Sequence, residues 1–179
     1  MYNISDGWFK QSRRVVSPNF NERPENTTVD SIVIHSISLP PGCYDGNDID
    51  VFFANQLDWE KDPFYASIRG LKVSAHLLIR RTGELVQYVN LWSRAWHAGP
   101  SCLGDRGNCN DFSIGIELEG TDSSPFEPAQ YDTLNEVIKA LRDYFPQISN
   151  DRIVGHSDIA PGRKTDPGSG FDWAELKLD

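Results

Sequence analysis

The amino-acid sequence predicts an α/β domain in which a central mixed β-sheet is flanked by helices. The run SIGIELEG at 113–120 alternates Ile114, Ile116 and Leu118 with Gly115, Glu117 and Glu119, the period-two pattern of a strand with one apolar face. Residues 128–145 place Tyr131, Leu134, Val137, Ile138, Leu141 and Phe145 at intervals of three and four, which is the stripe of an amphipathic helix. Strand-like and helix-like segments alternate along the chain, an order that suits a sheet covered by helices.

The elements follow in turn. Residues 1–30 are rich in Pro, Asn, Ser and Arg without periodicity and read as an irregular N-terminal arm lying across the domain. SIVIHSIS, from Ser31, is dense in β-branched residues and suits a strand, which Pro40, Pro41 and Gly42 bring to a turn. Residues 50–60 set Val51, Phe53, Ala54 and Leu57 on one side of a short amphipathic helix. In SAHLLIRRTGELVQYV, 74–89, two apolar runs flank Thr82 and Gly83, a hairpin signature. SIGIELEG is the next strand, with both glutamates on its non-apolar face. Pro128 suits the first turn of the helix that follows. RIVGH then delivers His156 at the end of a short apolar run, before a loop rich in Pro and Gly. At 179 residues the expectation is one domain, 1–179.

Five Trp and nine Phe suffice to fill a core without disulfide staples. The balance of 17 Lys and Arg against 26 Asp and Glu leaves a net charge of −9, which repels nucleic acid, anionic lipid and intact acidic cell-wall polymer and favours a small soluble ligand. Cys43, Cys102 and Cys109 are odd in number and lack CxxC spacing, so they read as reduced thiols. The N-terminus has no apolar run after a basic start, and no segment reaches the roughly 18 apolar residues of a membrane span. A cytoplasmic location is the expectation.

Candidate chemistry lies first in His35, His156 and Asp166. Two imidazoles and a carboxylate make a three-ligand set of the kind catalytic zinc uses, with the fourth position left to water. Each has a plainer alternative: a histidine closing an apolar strand is often a hydrogen-bonded structural residue, and Asp166 beside Pro167 suits a turn. Glu117 sits mid-strand between Ile116 and Leu118, where a carboxylate is awkward unless its face lines a cleft, and it suits a general base. Glu119 shares its parity, so alternation does not choose between them. Lys164, two residues before Asp166, is either an oxyanion donor or a surface lysine. His97 and Trp96 in AWHAG are candidates for a cleft wall against sugar or peptide, or for ordinary packing; His76 reads as a packed strand residue.

Taken together, IVIHSISLPPG, SAHLLIRRTGELVQYV, RAWHAG, CNDFSIGIELEGTD and GHSDIAPGRKTDPG followed by FDW closely resemble the AmpD-type N-acetylmuramoyl-L-alanine amidases, and these motifs span nearly the whole chain in the family's order. The resemblance implies a fold similar to peptidoglycan recognition proteins and amidase-type phage lysozymes. It implies zinc held by His35, His156 and Asp166, with Glu117 as catalytic acid/base and Lys164 as oxyanion-stabilising lysine. Of the family's basic contacts to the substrate peptide, Lys72 stands where Arg is expected, and Asn108 stands where Arg is also expected. The implied activity is hydrolysis of the amide between (1,6-anhydro-)N-acetylmuramic acid and the L-alanine of muropeptides, in cell-wall recycling. A non-catalytic module binding peptidoglycan fragments is the alternative, but such modules usually lack a full ligand set. A non-haem iron oxygenase fits the ligand types yet expects a many-stranded barrel.

Overall fold

The structure, a computed structural model, describes residues 1–44 and 46–178. Six strands form the main sheet: β1 (Arg13–Arg14), β2 (Ser31–Ile37), β3 (Leu77–Ile79), β4 (Leu85–Gln87), β5 (Ser113–Glu119) and β6 (Ile153–Gly155). Their spatial order is β6-β2-β5-β3-β4-β1. Strands β6, β2, β5 and β3 run parallel, β4 returns antiparallel to β3 as the hairpin signature predicts, and β1 lies parallel to β4. Among the described residues the α-helices are α1 (Asp48–Phe53), α2 (Pro63–Ser67), α3 (Pro128–Tyr144) and α4 (His156–Ile159). The expected mixed sheet flanked by helices is therefore present.

Helix α3 covers one face of the sheet. Pro128 opens it, Gln130 Oε1 accepts from the Glu127 N–H at 3.0 Å, and Pro146 closes it by disfavouring helical backbone at Phe145. Its Leu134, Val137, Ile138 and Leu141 pack on Ile32, Ile34, Ile114, Ile116 and Leu118. Full burial of each such side chain contributes roughly 1.5–3 kcal/mol, so this layer holds the parallel strands in register. The opposite face meets shorter elements: Phe52, Phe53 and Tyr65 on one side, and Ala98, Cys109, Phe112 and Ile159 on the other. Between these two apolar blocks the face is left open as a cleft.

Four elements differ from expectation. Strand β2 follows the run SIVIHSIS as far as Ile37, whose carbonyl accepts from the Gly120 N–H at 2.9 Å, so His35 sits two residues inside the strand and not at its end. The helix read over 50–60 begins earlier and stops at Phe53; Asn55 adopts a left-handed φ of 59° that ends it, and Leu57 is buried from outside the helix. Helix α2 escapes the apolar pattern because its start is local chemistry, with the Asp62 carboxylate accepting from Phe64 N–H at 2.7 Å and Pro63 in the first turn. Strand β5 is buried on both faces rather than one.

The first thirty residues carry two-residue strands at Ile4–Ser5, Trp8–Phe9, Arg13–Arg14 and Phe20–Asn21. Side-chain amides complete the docking: Gln87 accepts from Phe9 N–H at 2.8 Å and donates to Gly7 O at 2.9 Å. The three cysteines are free thiols. Among the described residues, no helix is long and apolar enough to cross a membrane.

Candidate metal centre and cleft

Three adjacent parallel strands build the site by register. Glu117 on β5 lies directly opposite His35 on β2, and Gly155 on β6 lies opposite Ile34, so His156 follows one step beyond. Parallel neighbours in register share a face, and their carboxyl ends point to one edge, where open α/β sheets display ligand groups. His156, His35 and Glu117 thus form a row across the open face. Helix α4 begins at His156, and the loop after it returns Asp166, with Asp166 O accepting from Ser157 N–H at 2.9 Å.

The geometry of the ligand set is tight. Asp166 Oδ2 stands 3.0 Å from His35 Nδ1 and 3.0 Å from His156 Nδ1, and the two Nδ1 atoms are 3.0 Å apart. A tetrahedral zinc with bonds of about 2.0–2.1 Å sets its ligand atoms about 3.3 Å apart, so these three atoms fit one such ion. The outer nitrogens explain why. His156 Nε2 is 3.0 Å from the carbonyl of Ala98, which only accepts, so the proton of that ring belongs on Nε2 and its Nδ1 is bare. His35 Nε2 lies 2.9 Å from His97 Nδ1, and when His97 accepts there the His35 proton lies on Nε2 and its Nδ1 is bare as well. Two lone pairs and a carboxylate then face one another, an arrangement that calls for a cation. Burial depresses the pKa of His35 to about 4, keeping its ring neutral as a ligand must be.

The two glutamates left equivalent by alternation have different surroundings. Glu119 accepts from Arg80 Nη1 at 3.0 Å and from the Arg81 N–H at 3.1 Å, which commits it to the hairpin. Glu117 is 8% exposed and its Oε2 has no hydrogen-bond partner. Burial, and next the charge of Asp166, push its pKa well above the usual carboxylate value, with Lys164 opposing. A buried carboxyl with a raised pKa and a free oxygen facing a cleft suits general acid–base work.

The cleft encloses about 530 Å³ and is lined by His35, Glu117, His156, Lys164 and Asp166 at one end and by Phe52, Phe64 and Leu71 at the other. Lys164 is exposed at its edge. His97 borders it from beneath, its ring buried against His35. Trp96 and Lys72 are not among the lining residues: the Trp96 indole donates to Asn21 Oδ1 at 2.7 Å, and Lys72 is exposed on the rim between Leu71 and Val73, which do line it. His76 is wholly buried, with Nδ1 accepting from Gly115 N–H at 3.0 Å.

Sequence reading passed over several residues that shape the site. Asn110 Oδ1 accepts from the N–H groups of His97 and Ala98 at 3.0 and 2.8 Å and so folds the loop that touches both metal-candidate histidines. Arg163 Nη2 donates to the carbonyls of Ala98 and Pro100, each at 2.6 Å. Asp122 accepts from Ser36 Oγ at 3.1 Å and from Thr165 Oγ1, tying the Asp166 loop to the end of β2. Their motifs, CNDF, GRKTD and EGTD, were visible; nothing in spacing shows that they meet.

A family profile described as N-acetylmuramoyl-L-alanine amidase matches residues 25–169. The chain is 51% identical over 175 residues to the 1,6-anhydro-N-acetylmuramyl-L-alanine amidase AmpD of Escherichia coli (strain K12), covering 98% of this chain and 95% of that one. Among solved structures, the crystal structure of a Se-Met AmpD derivative superposes with a TM-score of 0.94 at 50% identity, covering 97% of this chain and 96% of that one. The complex of the E. coli amidase AmiD with anhydro-N-acetylmuramic acid-L-Ala-D-gamma-Glu-L-Lys gives a TM-score of 0.61 at 28% identity, covering 98% of this chain and 64% of that one. Sequence and fold agree with AmpD along almost the full length of both molecules, and the chain belongs to the N-acetylmuramoyl-L-alanine amidase family.

Proposed function

We propose that this chain is a zinc-dependent amidase that hydrolyses the bond between the lactyl group of 1,6-anhydro-N-acetylmuramic acid and the L-alanine of a muropeptide, in the cytoplasmic recycling of cell wall. The observation that carries the reading is the row of His156, His35 and Glu117, with Asp166 closing a three-ligand set beside a buried carboxyl that has a free oxygen. The relatives' names supply the substrate class. The acidic net charge agrees with a small soluble fragment rather than an intact polymer.

In this reading His35, His156 and Asp166 hold zinc. Bound zinc supplies Lewis acidity, polarising the scissile carbonyl and lowering the pKa of water from about 15.7 to roughly 7. Glu117 takes the proton of the attacking water, and its raised pKa keeps that proton until the leaving amine needs it. Lys164 donates to the oxygen that gains charge as the carbon becomes tetrahedral; such a donor is worth roughly 2.7–4 kcal/mol. Of Lys72, Trp96 and His97, the residues expected to meet substrate, His97 lines the cleft, together with Leu71, Val73 and the Phe52–Phe64 wall.

The test is incubation of the purified protein with an anhydro-muropeptide, with and without a chelator, following released peptide by mass. The reading expects release that the chelator stops and zinc restores, and a Glu117→Ala variant that keeps zinc but loses most turnover. Retention of the muropeptide without cleavage by zinc-loaded wild type would establish the binding-module alternative instead.

A further inference from the structure

His35 is held from behind by another histidine, whereas His156 has an ordinary backbone carbonyl behind it. We propose that His97 is a positioning residue that fixes the tautomer and orientation of the His35 ring through a one-way chain of hydrogen bonds from His35 Nε2 to the carbonyl of Cys109. This rests on the metal reading above.

The chain follows from proton accounting. If His35 Nδ1 is a ligand atom it is bare, and the ring proton lies on Nε2. That N–H meets His97 Nδ1 at 2.9 Å, so His97 Nδ1 accepts and the His97 proton lies on its own Nε2. His97 Nε2 is 3.3 Å from Ser113 Oγ, and the Ser113 hydroxyl donates onward to Cys109 O at 2.5 Å. Because the terminal carbonyl only accepts, every link has one direction, and His35 is left with its lone pair toward Asp166 and His156. Ligating histidines are normally oriented by a carboxylate, a carbonyl or water. Here a third carboxylate would lie near the buried Glu117 and Asp166 and add like charge, whereas a neutral imidazole accepts without charge.

His97 is itself fixed by independent features. Its N–H is bound by Asn110 Oδ1, and its ring packs over Gly115, where an added Cβ would stand 2.4 Å from the ring Cγ and 2.6 Å from Nδ1. Glycine at this point of β5 is therefore the space His97 needs. The apolar–polar alternation of SIGIELEG contains this feature without revealing it.

The experiment measures zinc affinity by competition with a chromophoric chelator on metal-free wild type, His97→Phe and His97→Gln, each checked for fold by circular dichroism. Phe preserves bulk and removes the acceptor; Gln restores a neutral acceptor and donor. The expected result is zinc bound about 10–100-fold more weakly by His97→Phe, the range for loss of an orienting partner, with His97→Gln recovering most of it. A His97→Phe affinity within twofold of wild type, or a Gln variant as weak as Phe, overturns the proposal. Wild type that takes up no zinc overturns the metal reading itself, a separate outcome. Should His97→Phe fail to fold, the nitrogen-15 spectrum of the wild-type imidazoles decides: His97 with Nε2 protonated and Nδ1 bare supports the chain, and the opposite tautomer overturns it.

Discussion

Glu117 is held where a charged carboxylate is costly, beneath the cleft and beside Asp166, and its role depends on that cost. A carboxyl whose folded-state pKa lies above its unfolded value of about 4.3 binds its proton more tightly when folded. Its contribution therefore favours folding at and below the unfolded value and is lost as pH rises through the raised one. Metal-free Glu117→Gln is accordingly expected to be more stable than metal-free wild type at pH 7–8, with the difference vanishing below about pH 4; urea titrations across that range measure it. The same variant is expected to lose at least about 100-fold in amide hydrolysis while keeping zinc content. Glu119, bound to Arg80 and to the Arg81 N–H, has no such freedom. Alternation puts both side chains on one face of β5; only the arrival of the β3–β4 hairpin beside Glu119 separates their roles.

Two elements carry the site from opposite sides. Helix α3 fixes the strands from behind, and Leu134→Ala, at a wholly buried position, is expected to cost about 2–5 kcal/mol in chemical denaturation while leaving zinc affinity near wild type, since no ligand touches that face. The loop that returns Asp166 is tied down by Asp122 and by Gly168, which has φ of +80° and would set a Cβ 2.3 Å from the Asp122 Cα. Gly168→Ala is expected to lose about 1–2 kcal/mol from its backbone conformation alone. It is also expected to weaken zinc binding, because relief of the clash moves the Asp166 loop. Chelator competition and thermal melts separate the two effects.

Across the whole molecule, a metal at this site would join segments 131 residues apart in the chain, since His35 lies on β2 and Asp166 beyond α4. A ligand bound by the folded state only adds RT ln(1 + [L]/Kd), about 2.7 kcal/mol at a concentration 100 times Kd. For a chain of this size that corresponds to roughly 5–10 °C in Tm. Zinc is expected to raise the melting temperature by that amount and a chelator to remove the gain; calorimetry with and without each provides the check.

Local pattern determined much by itself. The seven-residue strands β2 and β5, the β3–β4 hairpin and α3 follow from residue alternation, turn chemistry and helical spacing, because each is a property of consecutive side chains. The identities of His35, His156, Asp166, Glu117 and Lys164 as candidates came from residue type and from motifs matched to a family. Short-range chemistry hid other parts: α1 ends at the left-handed Asn55 and α2 starts on the Asp62–Pro63 pair, neither of which leaves an apolar stripe. What only the tertiary structure decided is convergence. Parallel register sets His156, His35 and Glu117 in one row, Arg80 takes Glu119 out of it, and Gly115 leaves a vacancy that the His97 ring fills beneath His35. The physical reason is that a strand's own residues dictate which face each side chain takes, whereas the partner it meets there depends on how distant segments pack.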